Sequence, residues 1–218
     1  MEETSGWNRA SGEGNLVRLL YFDERLPRYG DSGHLFGNLE TEETSCARII
    51  AAYPSPGVIV VNVNYRHTPE FQWPTQFNDA WDSYEWLSTH ISRLGGDPSQ
   101  VVVGGISAGG GLAASVATRH HELMMAGQSS LGLTLKGHAQ RSGPVQPMAP
   151  SPVRESILQS RFILIQQNQM APILPWSAVK LFSDLLGAAA LTDPYLNVAL
   201  NTHEKIKGMP KASYLIAG

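Results

Sequence analysis

Val101-Val102-Val103-Gly104-Gly105-Ile106-Ser107-Ala108-Gly109-Gly110-Gly111-Leu112 is the stretch on which the architecture of this 218-residue chain turns. Three consecutive valines suit a strand buried on both faces, because β-branched side chains pack well on a pleated surface. The glycines then permit a tight turn, and a helix is expected from about Ala108 to His121. Inside this stretch, Gly105-Ile106-Ser107-Ala108-Gly109 matches G-x-S-x-G, the pattern of a sharp strand-to-helix turn that lifts a serine hydroxyl above a sheet. In a chain with 21 glycines the bare pattern is weak. Its setting, with a strand before and a helix after, makes it strong.

Working outward, the same alternation repeats. Leu16 to Phe22 and Val58 to Tyr65 are apolar runs of strand length, and Asn38 to Tyr53 between them carries a helical period. Phe77, Ala80, Trp81, Tyr84, Leu87 and Ile91 recur at spacings of three and four, which predicts an amphipathic helix before the break at Gly95-Gly96-Asp97-Pro98. Leu133 to Gly137 reads as a further strand, Pro175 to Leu186 as a helix, and Ala212 to Ala217 as a last strand. Strands alternating with helices imply an α/β fold with a mostly parallel, doubly wound sheet. Residues 1–15 lack an apolar period and are expected to form a flexible N-terminal arm, with the α/β unit over 16–218 and a poorly defined, proline-rich segment near 138–170.

Composition excludes several functions. A formal net charge of −3 with no basic block offers no footprint for nucleic acid, and no apolar run is long enough to span a bilayer. The expected partner is a small molecule. The polar, acidic start Met1-Glu2-Glu3 is unlike a signal or transit peptide, so a cytoplasmic location is expected. The single cysteine, Cys46, cannot form an internal disulfide and reads as a small buried apolar residue. No metal-ligand spacing, P-loop or dinucleotide fingerprint occurs, so neither a metal nor a cofactor is implied.

With the Ser107 turn go Tyr65-Arg66-His67-Thr68-Pro69-Glu70, Trp73-Pro74, Asp79-Ala80, Gly96-Asp97-Pro98, Leu112-Ala113-Ala114 and the terminal Met209-Pro210 to Gly218. In that order these segments resemble the hormone-sensitive-lipase-like esterases of the alpha/beta hydrolase fold-3 group, especially fungal members. The resemblance implies an α/β-hydrolase fold, here incomplete and made of the third to seventh strands of eight. It also implies a serine carboxylic ester hydrolase acting on a small-molecule ester, with Ser107 as nucleophile, Ala108 N–H as an oxyanion donor, and Gly105 and Gly109 as the elbow glycines.

Two departures qualify that expectation. Where the family carries H-G-G-G for its other oxyanion donors, this chain has Asp23-Glu24-Arg25-Leu26-Pro27, three charged side chains and a proline without N–H. The resemblance also places the catalytic acid after the seventh strand and the histidine after the eighth, beyond Gly218. A truncated chain of weak or no activity is therefore expected, its scrambled segments at 23–27 and 138–170 being attributed to a shifted reading frame or mis-spliced sequence. The alternatives are a non-catalytic ligand binder, as the plant gibberellin receptors of this family are, and an inert fragment. Ser107, Asp193 and His203 do reproduce a triad order within the chain. His67 follows a strand and could face the site or pack a loop, whereas His120 and His121 read as charge complements at a helix end; His34, His90 and His138 have no evident partner. Asp79 and Asp97 read as cap or turn residues, and Trp73, Trp81 and Trp86 as packing. A sheet edge left uncovered beside the last strand is expected to promote self-association.

Overall fold

The structure is a computed structural model that describes residues 17–22, 34, 35, 40, 42–55, 57–128, 130–141, 169, 170, 175–187 and 193–215. The expected N-terminal arm, the Asp23 to Pro27 segment and most of 138–170 lie outside the described residues. Five strands, β1 (Val17–Phe22), β2 (Val58–Val63), β3 (Val101–Ile106), β4 (Leu135–Arg141) and β5 (Lys211–Leu215), form one sheet in the order β2-β1-β3-β4-β5. Every neighbouring pair is parallel. Among the described residues, the α-helices between them are α1 (Glu43–Ala52), α2 (Thr75–His90), α3 (Ala108–Met125), α4 (Trp176–Leu186) and the single turn α5 (His203–Ile206).

Strand order reverses once. The chain steps from β1 to β2 on one side, then returns past β1 to build β3, β4 and β5 on the other. Right-handed crossovers put the helix of the first step on one face of the sheet and those of the later steps on the opposite face. Accordingly α1 packs on β2, whereas α3 lies over β3, β4 and β1 and packs on α2. The reversal falls between β1 and β3, and open α/β sheets bind ligands at the carboxyl ends of the strands beside such a reversal.

The core lies between the sheet and the α2–α3 layer. Val63, Val101 and Val103 meet Phe77, Tyr84 and Leu87 from α2 and Leu112 and Val116 from α3, all buried. Truncating a buried aromatic such as Phe77 to alanine typically costs about 3–5 kcal/mol. The Arg119 guanidinium lies 4.3 Å from the Trp81 ring centroid and 5.6 Å from that of Phe77, closing the seam between the two helices.

Three expectations need correction. The strand expected over Leu133 to Gly137 instead runs from Leu135 to Arg141, into residues expected to be irregular. Backbone pairing on both sides, to β3 and to β5, holds the polar His138, Gln140 and Arg141 in a central strand that side-chain pattern alone does not suggest. At Gly137 a Cβ would stand 2.9 Å from the Lys211 carbonyl oxygen, so the close approach of β5 requires glycine. His120 and His121 are not solvent-facing residues at a helix end. Both are buried, and His120 Nδ1 lies 3.2 Å from the Tyr84 hydroxyl. Burial, and secondarily the neighbouring His121, pushes His120 below the usual imidazole range, so it is neutral at pH 7. Finally, Trp86 is 39% exposed and stacks on His90, so it belongs to the surface rather than the core. The last strand is described from Lys211 to Leu215, and its expected end at Ala217 lies outside the described residues.

Candidate active site

Ser107 is the single residue between β3 and α3. Its backbone has φ 51 and ψ −118, a conformation that residues with a Cβ rarely adopt. Neighbouring structure holds it there. Ile106 is the last residue of the β3–β4 ladder, opposite Arg141, and the Ser107 carbonyl already accepts the Gly111 N–H at 3.1 Å as the first bond of α3. Gly105, Ala108 and Gly109 around it are buried, and Ser107 itself is half-buried. Ala108 opens α3, so its N–H lies at the positive end of the helix dipole, where negative charge is favoured. The four residues expected to form the elbow therefore meet at one turn.

Register locates this turn among the other strands. Phe22 pairs with Val63 on one side and Gly105 on the other, so the exits of β2 and β3 stand level, two strand spacings or about 10 Å apart. Ser107 and the loop beginning at Asn64 thus share the carboxyl rim. That loop carries a cluster of rings. Tyr65 is 2% exposed, and the half-buried His67 lies against it with ring centroids 5.0 Å apart. Burial lowers the His67 pKa, with Glu70 opposing, so its ring is neutral at pH 7.

Buried beside Tyr65 is His34, its pKa pushed down to about 3 by burial and then by His67. Nothing in the sequence singled out His34. Its contacts with Tyr65, Thr68 and Trp73 reach across more than 30 residues, beyond any local pattern.

His203 is not brought to the serine, and both carboxylate oxygens of Asp193 are engaged by other residues. Asp193 accepts the Trp73 indole N–H at 2.7 Å through one oxygen and the Tyr195 backbone N–H at 2.8 Å through the other. Tyr195 in turn donates its hydroxyl to Glu122 at 2.5 Å, and its carbonyl accepts a hydrogen bond from Ser115. Lys205, two residues after the exposed His203, lies 3.7 Å from Glu122. The segment from 193 to 206 therefore runs beside the later turns of α3. Fifteen helical residues separate Ser107 from Glu122, about 22 Å at 1.5 Å per residue.

The other candidates are structural. Asp79 forms a bidentate ion pair with Arg66, with contacts of 2.7 and 3.0 Å. Asp97 accepts the Ser99 N–H at 2.8 Å within a turn. His138 is buried on β4 level with Val103, and burial lowers its pKa. Cys46 is a buried free thiol. Among the described residues, no group of three or more His, Cys, Asp or Glu side chains could hold a metal, and no helix is long and apolar enough to cross a membrane.

Comparison with known proteins agrees with this geometry. The family model described as alpha/beta hydrolase fold matches residues 31–218. Esterase LipI of Mycobacterium tuberculosis is 29% identical over 187 residues, covering 85% of this chain and 52% of that protein. A gibberellin receptor of Arabidopsis thaliana is 34% identical over 92 residues, 41% of this chain and 25% of the receptor. Among solved structures, a hyperthermophilic esterase from the archaeon Pyrobaculum calidifontis superposes with a TM-score of 0.69 at 22% identity, over 94% of this chain and 58% of its own. The chain thus spans about half the length of the proteins it matches most extensively.

Proposed function

Since the chain belongs to the alpha/beta hydrolase fold family, whose model matches residues 31–218, we propose that it is the Ser107-bearing portion of a carboxylic ester hydrolase. The observation that carries the reading is the strained single-residue turn that presents Ser107 at the strand-order reversal. In the proposed reaction, Ser107 Oγ attacks the carbonyl carbon of a small ester, and the Ala108 N–H donates to the oxygen as it gains charge. Collapse of the tetrahedral adduct expels the alcohol and leaves an acyl-serine, which water hydrolyses. The similarity to an esterase over 85% of the chain supports the substrate class. No metal or cofactor has a part in this reading, and a cytoplasmic location belongs to it, resting on the single buried cysteine.

Attack also requires a base that accepts the hydroxyl proton, within about 3 Å of Oγ. His121, His120 and His203 lie along the far turns of α3, His90 ends α2 and His138 lies under α3. Only His34 and His67 share the rim, on the β2 side, packed around Tyr65. On that distribution these 218 residues turn over esters weakly or not at all by themselves.

The test pairs covalent labelling with turnover. A fluorophosphonate probe should label the chain slowly and stoichiometrically, and Ser107→Ala should abolish labelling. Hydrolysis of p-nitrophenyl acetate should differ less than about threefold between the two proteins, near the background left when base and oxyanion donors are lost. Label on a residue other than Ser107 would refute the nucleophile assignment, and a fast acyl burst lost in Ser107→Ala would refute the weak-activity assignment. A second reading, a non-catalytic small-molecule binder, draws on the similarity to the gibberellin receptor. Saturable binding of a small carboxylic acid or ester, unchanged in Ser107→Ala, would favour it.

A further inference from the structure

We propose that the stretch from Asp193 to Asn201 is a strap that sets the position of Trp73 on the rim loop, and that Glu122, far along α3, controls it as a remote positioning residue. The strap has this role whether or not Ser107 is a nucleophile.

The strap is folded on itself before it touches anything else. The Asp193 carbonyl accepts the Asn197 N–H at 2.8 Å, and the Asn201 side-chain amide donates to the carbonyls of Pro194 at 3.0 Å and Val198 at 3.2 Å. A segment tied in this way moves as a unit. Its outer contacts then converge on Trp73 by two routes. Along the first, the Tyr195 ring stacks on Phe77 with centroids 4.8 Å and planes 12° apart, and Phe77 stacks in turn on Trp73 at 5.9 Å and 27°. Along the second, the Asp193 carboxylate takes the Tyr195 N–H on one oxygen at 2.8 Å and the Trp73 indole N–H on the other at 2.7 Å. Buried Leu196 adds packing against Trp73 beside Leu186. Phe77 belongs to the core, so Trp73 and Tyr195 both lean on a fixed ring while Asp193 closes the circle between them.

What seats the strap lies on α3. Tyr195 donates its hydroxyl to one Glu122 oxygen at 2.5 Å, Lys205 stands 3.7 Å from the other, and the Ser115 hydroxyl donates to the Tyr195 carbonyl. A hydrogen bond to a carboxylate is roughly twice as strong as one between neutral groups, so Glu122 is the principal polar anchor of the Tyr195 ring. Without it the ring is free to slide off Phe77, and the Tyr195 N–H then carries the Asp193 carboxylate away from the Trp73 indole. These contacts share residues and therefore open together. Linkage makes the coupling reciprocal: whatever orders Trp73 from the rim side tightens the Glu122 end by the same factor. The Glu122 side chain is 31% exposed, so the controlling end of the strap is open to solvent while the end it controls lies on the rim.

Hydrogen exchange of the Trp73 indole N–H, followed by NMR in the full chain, reads the far end of this relay. Tyr195→Phe removes the hydroxyl and keeps the ring, and it should speed that exchange about tenfold or more, the size of one hydrogen bond to a charged group. Glu122→Ala should act to a similar extent, and the double variant should add less than about threefold to either single change, because both remove the same bond. The Trp81 indole N–H, bonded to Glu85 at 2.7 Å on the helix that carries Phe77, should change less than about threefold throughout. Unaltered Trp73 indole exchange in Tyr195→Phe would overturn the strap. So would effects of Tyr195→Phe and Glu122→Ala that multiply in the double variant, or Trp81 exchange that accelerates as much as that of Trp73, which signals global opening.

Discussion

Replacing Ser107 by glycine should stabilise the protein relative to replacing it by alanine, and the difference measures what the fold spends at this turn. At φ 51 and ψ −118 any residue with a Cβ is strained, and such conformations cost about 1–3 kcal/mol. Ser107→Ala keeps the Cβ and therefore keeps the strain. Ser107→Gly removes it but gives the unfolded chain more freedom, which offsets about 0.4–1 kcal/mol. The glycine variant should thus exceed the alanine variant by about 0.5–2 kcal/mol. In a chain of this size that corresponds to about 1–8 °C in melting temperature, since 1 kcal/mol moves the midpoint about 2–4 °C. Urea titrations of both variants, compared at equal m-value, give the difference directly. An alanine variant as stable as the glycine variant would mean that the turn relaxes to ordinary backbone, and the argument for a held, strained serine would fail.

Further expectations concern pH, the Trp73 anchor and the sheet edge. Burial lowers the pKa of His120 and of His138, so between pH 6.5 and their folded-state values the unfolded chain binds the extra protons. Stability is then full above about pH 6.5 and falls with acid by up to about 1.4 kcal/mol per unit for each histidine; a urea midpoint that held or rose from pH 7 to 5 would contradict this. Asp193→Ala should cost about 1–3 kcal/mol by leaving the Trp73 and Tyr195 N–H groups without their acceptor, with no effect on Ser107 labelling. Loss of labelling in Asp193→Ala at unchanged fold would restore that carboxylate to the site. β5 ends the strand order, with Lys211, Ala212 and Ser213 exposed, and self-association through this edge should appear as a concentration-dependent sedimentation coefficient, whereas a monomer at all concentrations would count against it.

What the linear sequence determined was local in origin. The valines of β3, the glycines around Ser107 and the three-and-four spacing from Phe77 to Ile91 each express a preference of a few neighbouring residues, and each forms the element expected of it. Alternation of such elements was enough to imply a parallel doubly wound sheet, and a glycine-flanked serine between strand and helix was enough to place the candidate nucleophile. Tertiary structure decided everything that depends on residues distant along the chain. Pairing on both sides made a strand of His138 to Arg141 against their polar character, and a contact spanning 120 residues turned Asp193 from a triad candidate into the acceptor for Trp73. Burial, which no single position encodes, drew His34, His67, His120 and His138 below the usual imidazole range and made His34 a structural centre of the rim. Hydrogen-bond partners and solvent exclusion come from the packing of whole elements, whereas turns and amphipathic periods are written within a few residues of one another.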